Sequence, residues 1–177
     1  MAQFTAGTWK IDQAHSEVTF TVRHLMSKVR GKFEEFEGEV VTDESGIDSR
    51  ANATIQLSSV NTGTADRDNH LRSSDFFSIE ETPTMTFEST GVREKADGFV
   101  ALGDLTIRDV TKPIELNVEV LGEGGDPWGG RRIGLEATGE ISRKEFGIDF
   151  NIPVPGEKAM IGDKVTIQLS VEAVLQD

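Results

Sequence analysis

Thr62 to Phe77 reads T-G-T-A-D-R-D-N-H-L-R-S-S-D-F-F and forms the densest polar cluster of the chain. It holds His70, one of three histidines, with Arg67, Arg72, Asp66, Asp68 and Asp75, and Phe76 and Phe77 close it. These residue types offer three uses. His70 is an acid or base, the arginines can pair with an anionic head group, and acids and bases together can brace a helix. Asp66–His70 and Asp68–Arg72 are spaced i,i+4 with the acid first, which favours a short helix near Thr64–Ser74 by a few tenths of a kcal/mol per pair. Between apolar strands, such a cluster is either a helical plug on a barrel or the polar mouth of a cavity.

Other chemistry is sparse. His15, His24 and His70 lack the short spacings of a metal site, and no metal or cofactor is expected. With no cysteine there are no disulfides or thiolate ligands; with no tyrosine and no G-x-S-x-G elbow, nucleophilic catalysis has little to use. Ser16 follows His15 directly, so in a strand the two face opposite ways. The run Gly122–Gly130 (G-E-G-G-D-P-W-G-G) lacks the Lys-Ser/Thr tail of a phosphate loop. It reads as an exposed hairpin loop carrying Trp128, or as a flap over a cavity. His24 continues the apolar parity of Val18, Phe20 and Val22, so it should point inward and needs a partner. His24, Arg67, Asp68, His70 and Arg72 are the candidate polar mouth. Arginine suits a phosphate, but the neighbouring acids oppose one, and a neutral polar group fits better.

The elements that must position these groups are strands. Period-two alternation recurs at Val18–Val22, Ala51–Leu57, Met85–Phe87, Ile114–Val120, Ile133–Ala137 and Val165–Val171. Phe36–Val41 and Phe99–Ile107 bring the number to about eight, and Asp97-Gly98 marks a tight hairpin. One apolar and one polar face per strand predicts an all-β fold, an eight-stranded antiparallel barrel closed on itself, with a short helix near Thr64–Ser74. Phe20, Val22, Met85, Phe87, Leu105, Ile107, Leu135, Ile167 and Leu169 are the inward set. A filled barrel and a hollow one share this pattern.

Residues 1–177 read as a single domain. Lys plus Arg number 18 against 31 Asp plus Glu, a net charge of −13. That argues against nucleic-acid backbones and disfavours adsorption to an anionic membrane face. No apolar run approaches the roughly 18 residues of a spanning helix, so no stable membrane insertion is expected. The first ten residues lack the basic and apolar regions of a secretory signal, which gives a cytoplasmic expectation.

Motifs along the whole chain resemble the YceI-like, lipocalin-like polyisoprenoid-binding family. Beside R-D-x-H-L-R-S-x-D-F-F at Arg67–Phe77 stand W-K-I-D-x-x-H-S at Trp9–Ser16 and F-T-V-R-H at Phe20–His24. G-K-F-E-E-F-E-G at Gly31–Gly38, P-T-M-T-F-E-S at Pro83–Ser89 and G-D-L-T-I-R at Gly103–Arg108 follow the family's order. T-K-P at Thr111–Pro113 and I-S-R-K-E-F-G-I at Ile141–Ile148 complete it. Asp109 stands where the family usually has Gly, and Asp tolerates left-handed turns. The resemblance implies a lipocalin-like barrel whose inward set lines a tunnel for an isoprenoid lipid, a polyprenyl chain or an isoprenoid quinone. It implies a carrier or storage protein rather than an enzyme, and a homodimer is possible. Two other classes remain open: an enzyme on an isoprenoid or lipid intermediate using His24 or His70, and a packed-core interaction protein without ligand.

Overall fold

The alternating segments pair into one antiparallel meander. The structure is a computed structural model and describes residues 4–156 and 159–177. Its strands are β1 (Gly7–Ile11), β2 (Glu17–His24), β3 (Ser27–Phe33), β4 (Phe36–Thr42), β5 (Arg50–Gln56) and β6 (Val60–Asn61). After helix α1 (Ala65–Arg72) come β7 (Thr84–Lys95), β8 (Gly98–Ile107), β9 (Val110–Gly125), β10 (Arg131–Ser142) and β11 (Ile161–Leu175).

Three pairs of these strands act as single bent staves. β1 and β2 both lie against β11 and are separated by the turn Gln13–His15, which Asp12 caps by accepting from the Ala14 N–H at 3.0 Å. β3 and β4 continue one another across Glu34 and Glu35, and β5 and β6 across the turn Leu57–Ser59. Eight staves result, as the alternation predicts. Trp9 pairs with Val40 on one side and with Leu175 on the other, which closes the ring and removes its free edges.

Local chemistry explains the turns. The β7–β8 hairpin turns at Ala96–Asp97, one residue earlier than the Asp97-Gly98 pair suggests. Gly98 opens β8 with φ +153, and a Cβ there would sit 2.4 Å from the Val118 carbonyl oxygen. Arg108 and Asp109 both take left-handed conformations, φ 53 and 63, so the β8–β9 hairpin forms with Asp in place of Gly.

Helix α1 forms where expected but is held differently. Neither i,i+4 ion pair closes: His70 Nε2 meets Asp75 Oδ2 at 2.7 Å, and Asp68 Oδ1 accepts from the Thr62 N–H and hydroxyl at 2.8 and 2.6 Å. Acids in the first turn and bases in the last still suit the helix dipole.

The core is graded along the barrel. Trp9, Ile133 and Ala173 are completely buried at one end, with Ile11, Val40 and Leu175 around them. The Trp9 indole N–H donates to the Thr42 hydroxyl at 2.8 Å. Toward the other end Phe33, Phe36, Leu57 and Val60 pack under Leu71 and Phe77, and Phe76, Leu105, Phe146 and Ile148 form a second cluster.

Candidate functional site

Between these clusters the staves enclose a cavity of about 310 Å³. Its wall is apolar except for Thr19, His24, Arg67, His70 and Arg143. Of the inward set, Phe20, Val22, Met85, Phe87, Leu105, Ile107, Ile167 and Leu169 line it. Leu135 does not. It points inward, but one level away along the axis, into a separate cavity of about 110 Å³ with Phe4, Phe99 and Val120. The division is visible on β9, where Leu116 lines the large cavity and the next inward residue, Val118, the small one.

Two glycines keep the large cavity wide. Gly31 pairs with Phe20 across β2 and β3, and a Cβ at Gly31 would lie 2.4 Å from the Phe20 ring. Gly103 stands the same way under Phe87, at 2.3 Å. Each ring therefore folds flat against the wall into the space a side chain would take, and leaves the lumen open.

The polar candidates divide. His24, Arg67 and His70 reach the cavity wall; Asp68 and Arg72 do not. Asp68 is buried and spends its carboxylate on Thr62. Arg72 donates to the backbone oxygens of Ser58 and Val60 and to Asn69 Oδ1, tying the helix to β6 and the turn before it. Arg67 is partly committed as well: Nε donates to the Thr62 hydroxyl at 2.7 Å and Nη2 to the Thr62 carbonyl at 2.9 Å. These three are braces of the polar segment. The half-buried His24 lines the cavity wall, and its ring makes no hydrogen bond to the described residues.

His70 sits at the opening. Its side chain is 42% exposed, and its ring stands edge-on to Phe76 and Phe150 at 5.0 and 4.8 Å. Phe76 and Phe150 meet at 5.4 Å, so the three rings form an aromatic rim, with the half-exposed Ile152 beside it on the wall.

Arg143 is the wall residue that sequence reasoning missed. Ile133, Leu135, Ala137, Gly139 and Ile141 are the inward positions of β10, and Arg143 continues that parity. It is buried. Its guanidinium donates to four backbone carbonyls: Ile148 and Phe150 at 2.9 Å, Gly162 at 2.8 Å and Ile161 at 3.2 Å. Burial pulls its pKa down, while the charges of Asp163 and Asp149 work the other way. An arginine keeps its proton in this setting, so the apolar cavity has one fixed positive charge in its wall, bonded to carbonyls rather than to a carboxylate.

Trp128 is 76% exposed and lies over the Arg132 guanidinium at 5.6 Å, and the loop around it lines no part of the large cavity. It is an exposed hairpin tip. Among the described residues no cluster of His, Asp and Glu has the geometry of a metal site. Among the described residues, neither histidine of the wall is hydrogen-bonded to a hydroxyl. The arrangement suits burial of an apolar body, with a charge and a free imidazole for its polar end.

Comparison with known proteins agrees with this architecture. Residues 9–173 match the YceI-like domain family. Protein YceI of Escherichia coli is 39% identical over 175 residues, which covers 97% of this chain and 88% of that protein. BcnA of Burkholderia cenocepacia has the same fold at a TM-score of 0.80 and 20% identity, over 92% of this chain and 98% of that one. A polyisoprenoid binding domain from Saccharophagus degradans, implicated in plant cell wall breakdown, superimposes with a TM-score of 0.68 at 18% identity, covering 97% and 100%. A closed eight-stave antiparallel barrel with one short helix, an apolar cavity and a family match over nearly its whole length place this chain in the YceI-like family.

Proposed function

We propose that this protein binds an isoprenoid lipid in the large cavity and sequesters or carries it. The observation that carries the reading is the cavity itself: about 310 Å³ enclosed by side chains that are apolar at all but five positions. Membership of a family with a polyisoprenoid-binding relative supports the class of ligand.

The volume limits how much chain it holds. A cavity of about 150 Å³ accommodates one benzene ring, so this one takes roughly twice that, near two isoprene units. At about 0.8 kcal/mol per buried methylene, ten carbons give about 8 kcal/mol before the costs of association and ordering, so the tail that extends beyond the cavity adds to the affinity. A longer tail extends through the opening at His70 and Ile152. The polar end, a quinone carbonyl or an equivalent acceptor, finds its donors at His24 and Arg143.

The test is mass spectrometry of an organic extract of the purified protein, paired with native mass spectrometry. A stoichiometric prenyl species that disappears in Phe87→Asp, with the variant's circular dichroism unchanged, supports the reading. Added prenyl lipids that neither bind nor raise the thermal midpoint of the emptied protein would sink it and favour a packed-core interaction protein.

A further inference from the structure

The β2–β3 hairpin ends beside the opening, and its tip is apolar and bare: Met26 is 100% exposed and Leu25 48%. The tip is firmly held. The Leu25 N–H donates to the Met160 carbonyl at 2.7 Å, and Arg23 donates to the Leu25 and Ala159 carbonyls at 3.0 and 2.9 Å. His24, Met160 and Ile152 belong to the cavity wall, so Leu25 and Met26 extend the rim of that cavity into solvent.

The same hairpin is basic in an acidic chain. From Thr19 to Phe33 there is no Asp or Glu, and Arg23, Lys28, Arg30 and Lys32 all lie here, although the chain carries −13 overall. Lys28, Arg30 and Lys32 are exposed, and none is in an ion pair among the described residues. The register sets Arg23 opposite Lys28, a like-charge pairing that opposes folding. Among the described residues, Asp163, next to the Gly162 that lies against Arg23, is engaged with the Ser142 hydroxyl and the Lys144 N–H.

We infer that this hairpin tip docks the protein on a lipid bilayer bearing anionic head groups. Leu25 and Met26 enter the head-group boundary, Lys28, Arg30 and Lys32 pair with the anionic lipids, and the cavity mouth is set against the surface that supplies or accepts its cargo. The inference rests on the isoprenoid reading above. Two apolar side chains are far short of the ~800 Å² per partner of a stable protein interface, whereas a bilayer surface needs only a small apolar wedge flanked by cations. No described helix is long and apolar enough to cross a membrane, so the contact stays at the surface. The net charge repels the body from the same surface. The tip acts only within a Debye length of about 8 Å, which makes the contact reversible.

Flotation of the full chain with vesicles tests this, using phosphatidylcholine alone and phosphatidylcholine mixed with phosphatidylglycerol. The wild type floats with the mixed vesicles, stays behind with the neutral ones, and is released by high salt. Met26→Asp and the double variant Lys28→Glu/Arg30→Glu lie outside the cavity wall and keep their cargo in solution. Their partitioning falls about fivefold or more per charge altered, and transfer of a labelled prenyl lipid from vesicle to protein slows in step. Equal flotation of wild type and variants, or none by the wild type, overturns the docking. So does a native dimer that Met26→Asp splits, which would make the tip a contact between copies. The two readings fail separately: cargo in the extract without vesicle binding leaves the container and removes the dock, and vesicle binding by a protein that takes up no prenyl lipid does the reverse.

Discussion

At the closed end of the barrel Trp9 is wholly buried, packed among Ile133 and Ala173, with its indole N–H bonded to Thr42. Around it Arg132 joins Asp12, Asp126 and Glu172 at 2.8 to 2.9 Å and so ties the rim together. At the mouth end, inward aromatics obey the same alternation, yet Phe20 and Phe87 lie flat over Gly31 and Gly103 and face open space. The strand pattern is identical in the two halves. At the mouth end each of these rings lies over a glycine of the neighbouring strand, directly opposite for Phe20 and diagonal for Phe87, and that space leaves the layer hollow. The closed end holds the fully buried Trp9 and the smaller cavity, and the mouth end the larger room for a ligand.

The largest effect that separates the halves is on stability. Trp9→Ala lowers the free energy of unfolding by about 3–5 kcal/mol in a denaturant titration, while Phe20→Ala loses under half of that because its ring already borders a void. Equal losses would break the comparison. Next, Leu169→Ala and Leu135→Ala each cost about 2–3 kcal/mol, but only Leu169→Ala alters the retained lipid in the extract. A change of cargo in Leu135→Ala would mean that the two cavities act as one.

Acid probes the closed end through Asp12. The hydrogen bond from Arg132, then that from His15, holds the Asp12 carboxyl down at about 2, against an ordinary value of 3.8. A depressed folded pKa stabilises the fold above the unfolded value, and that contribution fades as pH falls from about 4 toward 2. Thermal midpoints of wild type and Asp12→Asn should converge over this window; a constant difference would show that Asp12 does not titrate with folding. The smallest stability change is expected from Gly31→Ala. The methyl displaces the Phe20 ring into the lumen, stability moves by less than about 1 kcal/mol, and the affinity for a prenyl lipid drops. Unchanged affinity would show that the ring has another place to go.

Much of the fold was legible because period two survives burial on one face. Six of the eight staves were marked by their alternation, and the stretches Phe36–Val41 and Phe99–Ile107 marked the other two. The strand Ser27–Phe33 was passed over because Gly31 interrupts its apolar face, and that glycine is the residue that makes room for Phe20. Leu135 shows the limit of parity, which fixes the side of the sheet but not the level along the axis. Arg143 stood on the inward parity, but a charged residue does not register as lining until the carbonyls that satisfy it are brought together by Ile148, Phe150 and Gly162. Asp68 and Arg72 were read by helical spacing, and the backbone and hydroxyl groups of Thr62, Ser58 and Val60 outcompeted each for the other.

The nesting of phenylalanine on glycine has a consequence for how such a container can change over generations. At Gly103 and Gly139 an added methyl would also meet a backbone oxygen, of Glu88 and Glu115, at 2.8 Å, so those positions resist substitution. At Gly31 the atoms closest to it belong to the movable Phe20 ring. Lumen size is therefore adjustable at one end by a single small mutation and fixed deeper in. Ligand length can drift by such steps while the meander, its register and its sealed end stay as they are.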